Sequence, residues 1–226
     1  MLPIGNATLF QGSLLVVNAC LGPTSVVIFG TVRTLTRAAW QLMNMINQTV
    51  APELNRLLGA NDCERARRLH RISVFTSLLC GWLLILVILA LGPSIYRYWT
   101  ARQLIVDRPL LALFCISILT NSLWLTSSTV LLSTNKHEGL AWRYLCGSMV
   151  NIPLCYTLSK IFGIQGAAIS PVVIDCLLIP YVLKKSLSLT HDSLGAFLRS
   201  LVRKPTQGIR DLSRLLAQSC RQYHKT

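Results

Sequence analysis

Acidic residues are scarce in this chain, which has eight Asp and Glu against 22 Lys and Arg in 226 residues. Charged residues of both signs make up only 13% of the sequence, whereas about 25% is usual in soluble domains. Hydrophobic residues reach 52%, and the mean hydropathy is +0.52. This composition excludes an ordinary soluble domain and indicates a polytopic membrane protein.

Motifs of catalysis and metal binding are also missing. The sequence has no HExxH motif, no paired catalytic acids and no Ser/His/Asp set, and all four histidines fall in predicted loops or in the tail. The eight cysteines are scattered without a CxxC pair, which is typical of packing residues rather than of a disulfide framework or a zinc site. We therefore expect no enzymatic activity, no metal and no cofactor. Nothing resembles a nucleic-acid-binding motif, so we expect no nucleic-acid partner.

What the sequence does have is six apolar runs of membrane-spanning length. They cover residues 2–21, 26–58, 72–96, 109–133, 143–162 and 164–183. The predicted fold class is all-α: a polytopic membrane protein with six transmembrane helices. We place this six-helix lobe in residues 1–186 and a basic, amphipathic, cytoplasmic tail in residues 187–226.

With six spans, the basic residues are distributed unevenly between the two sides of the membrane. The side with both termini, the 55–71 loop and the 134–143 loop carries 16 Lys and Arg, and the opposite side carries four. The positive-inside rule then places both termini in the cytoplasm. We predict a short interfacial helix in the 55–71 loop and two short basic amphipathic helices in the tail, divided at Pro205. Both regions are expected to contact anionic membrane lipids.

The second apolar run carries two arginines well inside it, Arg33 and Arg37. At about 100° per residue, these two and the later Asn44 and Gln48 fall within roughly 60° of arc on one helix face. An arginine at the bilayer centre costs at least about 2.5–3.5 kcal/mol, which favours an aqueous cavity or a polar seam beside this face. The alternative is that the arginines snorkel to the interface and pair between helices, which is easier for Arg33 than for Arg37.

Asp175 is the single acid deep inside a predicted span. It is either protonated or paired with an arginine, and pairing is favoured because arginine cannot release its charge. We therefore predict that Asp175 compensates the positive charge of Arg33 and Arg37 nearby.

Two segments of the sequence resemble a known family. The segment APELNRLLGANDCERARRLHR, residues 51–71, resembles the sequence after the eighth helix of bacterial polysaccharide and O-antigen lipid-carrier flippases. The segment NIPLCYTLSKIFGIQGAAIS, residues 151–170, is similar to the turn between their eleventh and twelfth helices. The resemblance covers about residues 1–186. It implies the second six-helix lobe of the two-lobe fold of the multidrug/oligosaccharidyl-lipid/polysaccharide superfamily.

The resemblance also implies a function. Such a flippase moves an undecaprenyl-pyrophosphate-linked oligosaccharide across the bacterial cytoplasmic (inner) membrane for polysaccharide biosynthesis, by alternating access. A pyrophosphate headgroup needs cations that stay charged, which suits Arg33 and Arg37 as substrate-binding residues. Asn44, Gln48 and Asn151 are expected to bind sugar hydroxyls.

Two alternatives stay open at this point. A multidrug antiporter lobe of the same superfamily needs a coupling carboxylate, for which Asp175 is the candidate. The other alternative is a non-transporting remnant or an assembly partner, which needs no coupling carboxylate. The chain matches one lobe of two and begins directly in a hydrophobic helix. We therefore expect a fragment that requires a missing N-terminal lobe or a second copy for activity.

Overall fold

A computed structural model describes residues 2–100 and 107–203 of the chain. Within these two ranges, every regular element is an α-helix. The helices are α1 (Leu2–Leu21), α2 (Pro23–Gly59), α3 (Cys63–Trp99), α4 (Arg108–Ser133), α5 (Glu138–Phe162), α6 (Ile164–Leu189) and α7 (Leu194–Arg203). The predicted all-α fold class is confirmed for this part of the chain.

The first two helices are separated by a single residue, Gly22. Its φ is 82°, in the left-handed region that glycine adopts without a steric penalty. Pro23 then begins α2 at the position where a missing N–H costs no hydrogen bond. With 37 residues, α2 is about 55 Å long, against roughly 30 Å for the hydrocarbon core of a bilayer. Part of α2 therefore has to lie outside the hydrocarbon region.

The basic segment at residues 55–71 is arranged differently from the prediction. It comprises the end of α2, a turn at residues 60–62 and the first turns of α3, so the predicted interfacial helix within a loop is wrong. Asp62 caps α3 by accepting a hydrogen bond from the backbone N–H of Arg65 at 3.1 Å. The sequences ELNRLL and ERARRLH are rich in good helix formers, and they extend the two neighbouring helices instead of forming a third.

Four of the helices are long and apolar enough to cross a membrane: α1, α3, α4 and α6. α2 and α5 are long enough, at 37 and 25 residues, but they are more polar. α2 contains Arg33 and Arg37, and α5 contains Arg143 and Asn151. The chain is thus a multi-pass membrane protein, and the count of six spans stays a prediction.

α4 lies at the centre of the bundle, in contact with α2, α3 and α6. On the α2 side of α4, the rings of Phe29 and Phe114 pack 5.2 Å apart within the largest apolar cluster. On the α5 side, Trp124 packs against Tyr144 at 5.5 Å in a second cluster. α1 packs along α5 and makes a smaller contact with α2. α1 and α2 are therefore held mainly by different neighbours.

α5 and α6 form a tight hairpin that is joined by Gly163 alone. The φ of Gly163 is 62°, again in the left-handed region. A Cβ on Gly166 would collide with the backbone carbonyl of Leu158. Small residues at this turn allow the two helices to approach closely, as in many membrane helix pairs.

α7 coincides with the first of the two amphipathic helices that the sequence predicts for the tail. It follows a turn at residues 190–193 and packs against α3. The second predicted helix, beyond Pro205, lies outside the described residues. α6 continues to Leu189, past the predicted end of the lobe at residue 186.

Candidate functional site

Four polar residues share one face of α2, beside the stripe of that helix that is buried against α3 and α4. We call them the α2 polar face: Arg33, Arg37, Asn44 and Gln48. Arg33 and Asn44 are half-buried, whereas Arg37 and Gln48 are exposed. α2 is continuous across all four positions, so their spacing places them along the edge of the bundle rather than in its interior.

Arg33 connects α2 to α1. Its Nη1 donates a hydrogen bond of 2.7 Å to the backbone carbonyl of Phe10, and its guanidinium carbon lies 5.5 Å from the centroid of the Phe10 ring. Trp40 packs edge-on against the same ring, with 6.4 Å between the centroids. A carbonyl dipole and an aromatic face thus stabilise the charge of Arg33, and the side chain holds α1 against α2.

Arg37 lies one turn further along α2 and has no such anchor. Its side chain is exposed, and within residues 2–100 and 107–203 it makes no hydrogen bond or ion pair. Arginine presents its N–H donors in a planar fork that matches the oxygens of a phosphate group. Of the two arginines on the α2 polar face, Arg37 is therefore the one whose donors are free for a ligand.

Asn151 does not lie on the α2 polar face. It is fully buried between α5 and α1, where its Nδ2 donates a hydrogen bond to Ser13 Oγ at 3.1 Å. Ser13 Oγ in turn donates to the backbone carbonyl of Leu9 at 2.6 Å. Asn151 thus connects two helices, and a contact with a sugar hydroxyl requires α1 and α5 to separate first.

Asp175 is buried between α6 and α4, with 6% of the residue exposed. Its two carboxylate oxygens accept hydrogen bonds from Trp124 Nε1 at 2.8 Å and from Thr120 Oγ1 at 3.2 Å. Both donors are neutral, and the described part of the chain contains no ion pair of Asp175 with Arg33 or Arg37. The predicted pairing is wrong. The spacing of Thr120 and Trp124, one turn apart on one face of α4, is the sequence signal that indicates these donors.

The buried polar residues that were not singled out from the sequence include Asn47 and His70. Asn47 lies on the buried stripe of α2, 8% exposed, and neither of its amide atoms has a partner among the described residues. The sequence predicts a solvated loop for His70, but this residue is fully buried because α3 already begins at Cys63. A buried amide without a partner is uncommon, and Asn47 is thus a further polar residue of α2, on its buried stripe rather than on the α2 polar face.

The chemistry that these residues offer is charge recognition. The α2 polar face combines an exposed guanidinium with amide side chains, which bind anionic groups and hydroxyls respectively. The Asp175 pocket (Asp175, Thr120 and Trp124) holds a carboxylate away from solvent. Within the two described ranges, no group of three or more His, Cys, Asp or Glu side chains is close enough to hold a metal ion.

The region that contains the α2 polar face is shared with a known family. No curated protein and no solved structure matches the chain. Residues 9–157, from α1 into α5, match the MatE family, and this range is more than half of the chain. The chain therefore belongs to the MatE family, and with it to the multidrug/oligosaccharidyl-lipid/polysaccharide superfamily of multi-pass membrane transporters.

Proposed function

We propose that the chain is one lobe of a flippase that moves undecaprenyl-pyrophosphate-linked oligosaccharide across the bacterial cytoplasmic membrane for polysaccharide biosynthesis. The exposed guanidinium of Arg37, which makes no hydrogen bond or ion pair within the described residues, is the observation that supports this function most directly. An arginine without a counter-charge is costly in a membrane helix, and an anionic substrate supplies that charge when it binds. The lipid tail of the substrate stays in the bilayer while the pyrophosphate and the sugars cross.

The residues of the α2 polar face divide this task. Arg37 donates to the pyrophosphate oxygens, and Asn44 and Gln48, one and two turns beyond it on the same face, bind sugar hydroxyls. Arg33 adds positive charge and fixes α1 beside the site through Phe10. Asp175 and Asn151 have internal partners, so they contact the substrate only after the helices rearrange.

Alternating access requires two bundles that move against each other around a shared site. We propose that the described helices form one of them, with six spans and with both termini in the cytoplasm. The second bundle is an N-terminal lobe or a second copy of the chain. In either assembly, the α2 polar face borders the space between the bundles, where the substrate passes.

The topology is tested by labelling intact cells with an impermeant thiol reagent. In an otherwise cysteine-free chain, Cys63 at the start of α3 should stay unlabelled, and a Thr100→Cys variant at the other end of α3 should react. The reverse pattern would contradict the proposed orientation.

The function is tested in a strain that lacks its own O-antigen flippase. Surface polysaccharide that is restored only when a matching N-terminal lobe is supplied with the chain would identify that lobe as the second bundle. Polysaccharide from the chain alone, together with a cross-linkable dimer in the membrane, would identify a second copy. No polysaccharide in either case would contradict the proposed function. Purified, assembled protein should also bind undecaprenyl pyrophosphate more tightly than undecaprenol, since only the former presents phosphate oxygens to Arg37. Equal binding of the two lipids would contradict the proposed role of this arginine.

A second candidate function is multidrug antiport, and the Asp175 pocket is the observation that favours it. A carboxylate held by neutral donors in a membrane helix is available for ion coupling in a way that an arginine-paired one is not. The two functions differ in substrate charge. Uptake of a cationic dye into vesicles, driven by an ion gradient and abolished by Asp175→Asn, would support antiport over the flippase.

A further inference from the structure

α7 is packed onto the bundle by one deeply buried aromatic residue. Phe197 is 0% exposed and stacks on the ring of His70 in α3, with 5.4 Å between the ring centroids and 20° between the planes. It belongs to an apolar cluster with Val74 of α3 and with Leu183 and Leu187 of α6. α7 therefore has a defined inner face, centred on Phe197.

The turn before α7 is fixed to α3 by polar contacts. Both carboxylate oxygens of Asp192 accept hydrogen bonds from Arg71, at 2.7 and 2.5 Å. Arg67 Nε donates to the backbone carbonyl of Thr190 at 3.1 Å. Burial raises the pKa of Asp192, but its hydrogen bonds with Arg71 outweigh this effect and hold the pKa below its usual range. These contacts determine which flank of α7 faces away from the bundle.

One exposed flank of α7, beside its inner face, is apolar. Leu194 and Leu198, one turn apart on α7, are 53% and 50% exposed. On a helix they lie about 60–100° from Phe197, beside the inner face rather than on it. Arg199 is exposed and lies on the side away from Phe197, at roughly 200°. α7 thus has three faces: one on the bundle, one apolar and one basic.

More positive charge lies near the end of α6. Lys184 and Lys185 are exposed there, ahead of the turn at residues 190–193 that leads into α7. We call Leu194, Leu198, Arg199, Lys184 and Lys185 the α7 surface. An exposed leucine pair next to several cations matches a membrane interface, where acyl chains meet anionic headgroups.

We propose that the α7 surface binds the anionic headgroup layer of the membrane, with Leu194 and Leu198 inserted among the acyl chains and the three basic residues against lipid phosphates. α7 already has a fixed inner face on α3, so the lipid adds to its docking and does not have to fold it. The partner is a bilayer surface of negative charge, because a neutral bilayer contacts the leucines but not the cations.

Hydrogen exchange of the backbone amides of residues 190–203 tests this proposal. The full chain is reconstituted in nanodiscs of phosphatidylcholine alone or of phosphatidylcholine mixed with phosphatidylglycerol. Three basic residues near an anionic surface lead us to expect exchange at least about tenfold slower with phosphatidylglycerol, an effect that added salt should reduce. Lys184→Gln/Lys185→Gln/Arg199→Gln should abolish the difference between the lipids. Arg97→Gln, an exposed cation at the opposite end of α3, should leave it unchanged.

Three results would overturn the proposal. Equal exchange of wild-type α7 in the two lipids would show that the α7 surface does not sense lipid charge. Faster exchange of the triple variant already in phosphatidylcholine would show that these cations serve the contact with the bundle. A Leu194→Ser/Leu198→Ser variant should lose protection in both lipids, and unchanged protection would exclude insertion of the leucines.

Discussion

The α2 polar face and the Asp175 pocket both place ionisable side chains well inside a long helix, but the surroundings of these side chains differ. On α2, Arg37 is exposed and has no partner within the described residues. Between α4 and α6, Asp175 is buried and both of its oxygens have neutral donors. Within the described residues, the donors of Arg37 are therefore available to a ligand, whereas both oxygens of Asp175 already accept hydrogen bonds from the fold.

The same contrast separates the two arginines of α2. Arg33 contacts the carbonyl and the ring of Phe10, so its charge is partly satisfied within the chain. Arg37, one turn away, has no comparable contact in the part of the chain that the structure describes. From their spacing alone, the two arginines are equivalent. The position of α1 makes Arg33 an anchor between helices and leaves Arg37 as a candidate ligand-binding residue.

The largest effect on transport is expected from Arg37→Ala, which removes the exposed guanidinium from the α2 polar face. In a complete two-lobe assembly, it should lower the rate of flipping about 10–100-fold, since a hydrogen bond to a charged group contributes about 1.5–3 kcal/mol. Protein abundance should stay near that of the wild type. Arg37→Lys should restore only part of the activity, because a point charge loses the bidentate contact.

Surface polysaccharide and a vesicle assay of lipid-linked substrate measure this effect. Arg97→Ala, which removes an exposed cation outside the α2 polar face, is the matched control and should be silent. Full transport by an Arg33→Ala/Arg37→Ala double variant would assign both residues to snorkelling.

Asp175→Ala tests the other side of the comparison. It leaves the buried indole N–H of Trp124 without an acceptor, which should lower stability by about 1–3 kcal/mol. Asp175→Asn keeps an acceptor oxygen and should cost less. The measurement is thermal unfolding of purified protein in detergent. If the pocket is structural, flipping by Asp175→Asn stays near normal, and a large loss of transport without a loss of stability would instead assign Asp175 a role in coupling.

A smaller effect on stability should distinguish Arg33 from Arg37. Arg33→Ala removes the hydrogen bond to Phe10 and a cation–π contact, so we expect a loss of about 1–2 kcal/mol. Arg37→Ala should change stability by less than about 0.5 kcal/mol. Equal destabilisation by the two variants in the same thermal unfolding assay would contradict the distinction between anchor and ligand-binding residue.

The smallest effect concerns Asp192, a carboxylate that does have an arginine partner. Arg71 holds its pKa below the usual range, so the ion pair contributes stability above about pH 3.9 and loses it as the pH falls through the lower folded-state pKa. Because Arg71 is partly exposed, we expect only about 1 kcal/mol. Asp192→Asn should be less stable than the wild type at neutral pH, and the two should converge in acid. A constant difference at all pH values would contradict this origin.

The sequence predicts helices more reliably than the partners of polar residues. The apolar runs at residues 2–21 and 109–133 correspond to α1 and α4 within a residue, since hydrophobic length largely defines a membrane helix. The prediction of a loop with an interfacial helix at residues 55–71 is wrong, because charge patterning does not distinguish a loop from a helix that continues into water. The partners of Asp175 depend on how α4 and α6 are rotated against each other, and a single sequence does not contain that rotation.

The site residues show the same limit. Periodicity correctly groups Arg33, Arg37, Asn44 and Gln48 on one face, because all four belong to one helix. Asn151 belongs to another helix, and its burial against Ser13 follows from the close approach of α1 and α5. A Cβ on Gly5 would come within 2.8 Å of the Tyr144 ring, so that approach depends on a glycine whose role shows only in three dimensions.

The hairpin of α5 and α6 has a consequence for how the protein is made. Gly163 alone connects the two helices, and the contact of Gly166 with Leu158 leaves no room for a wider turn. A connection of one residue provides no loop that the insertion machinery can translocate by itself. We therefore expect α5 and α6 to enter the bilayer together, as one helical pair, and a substitution at Gly166 to impair biogenesis before it affects transport.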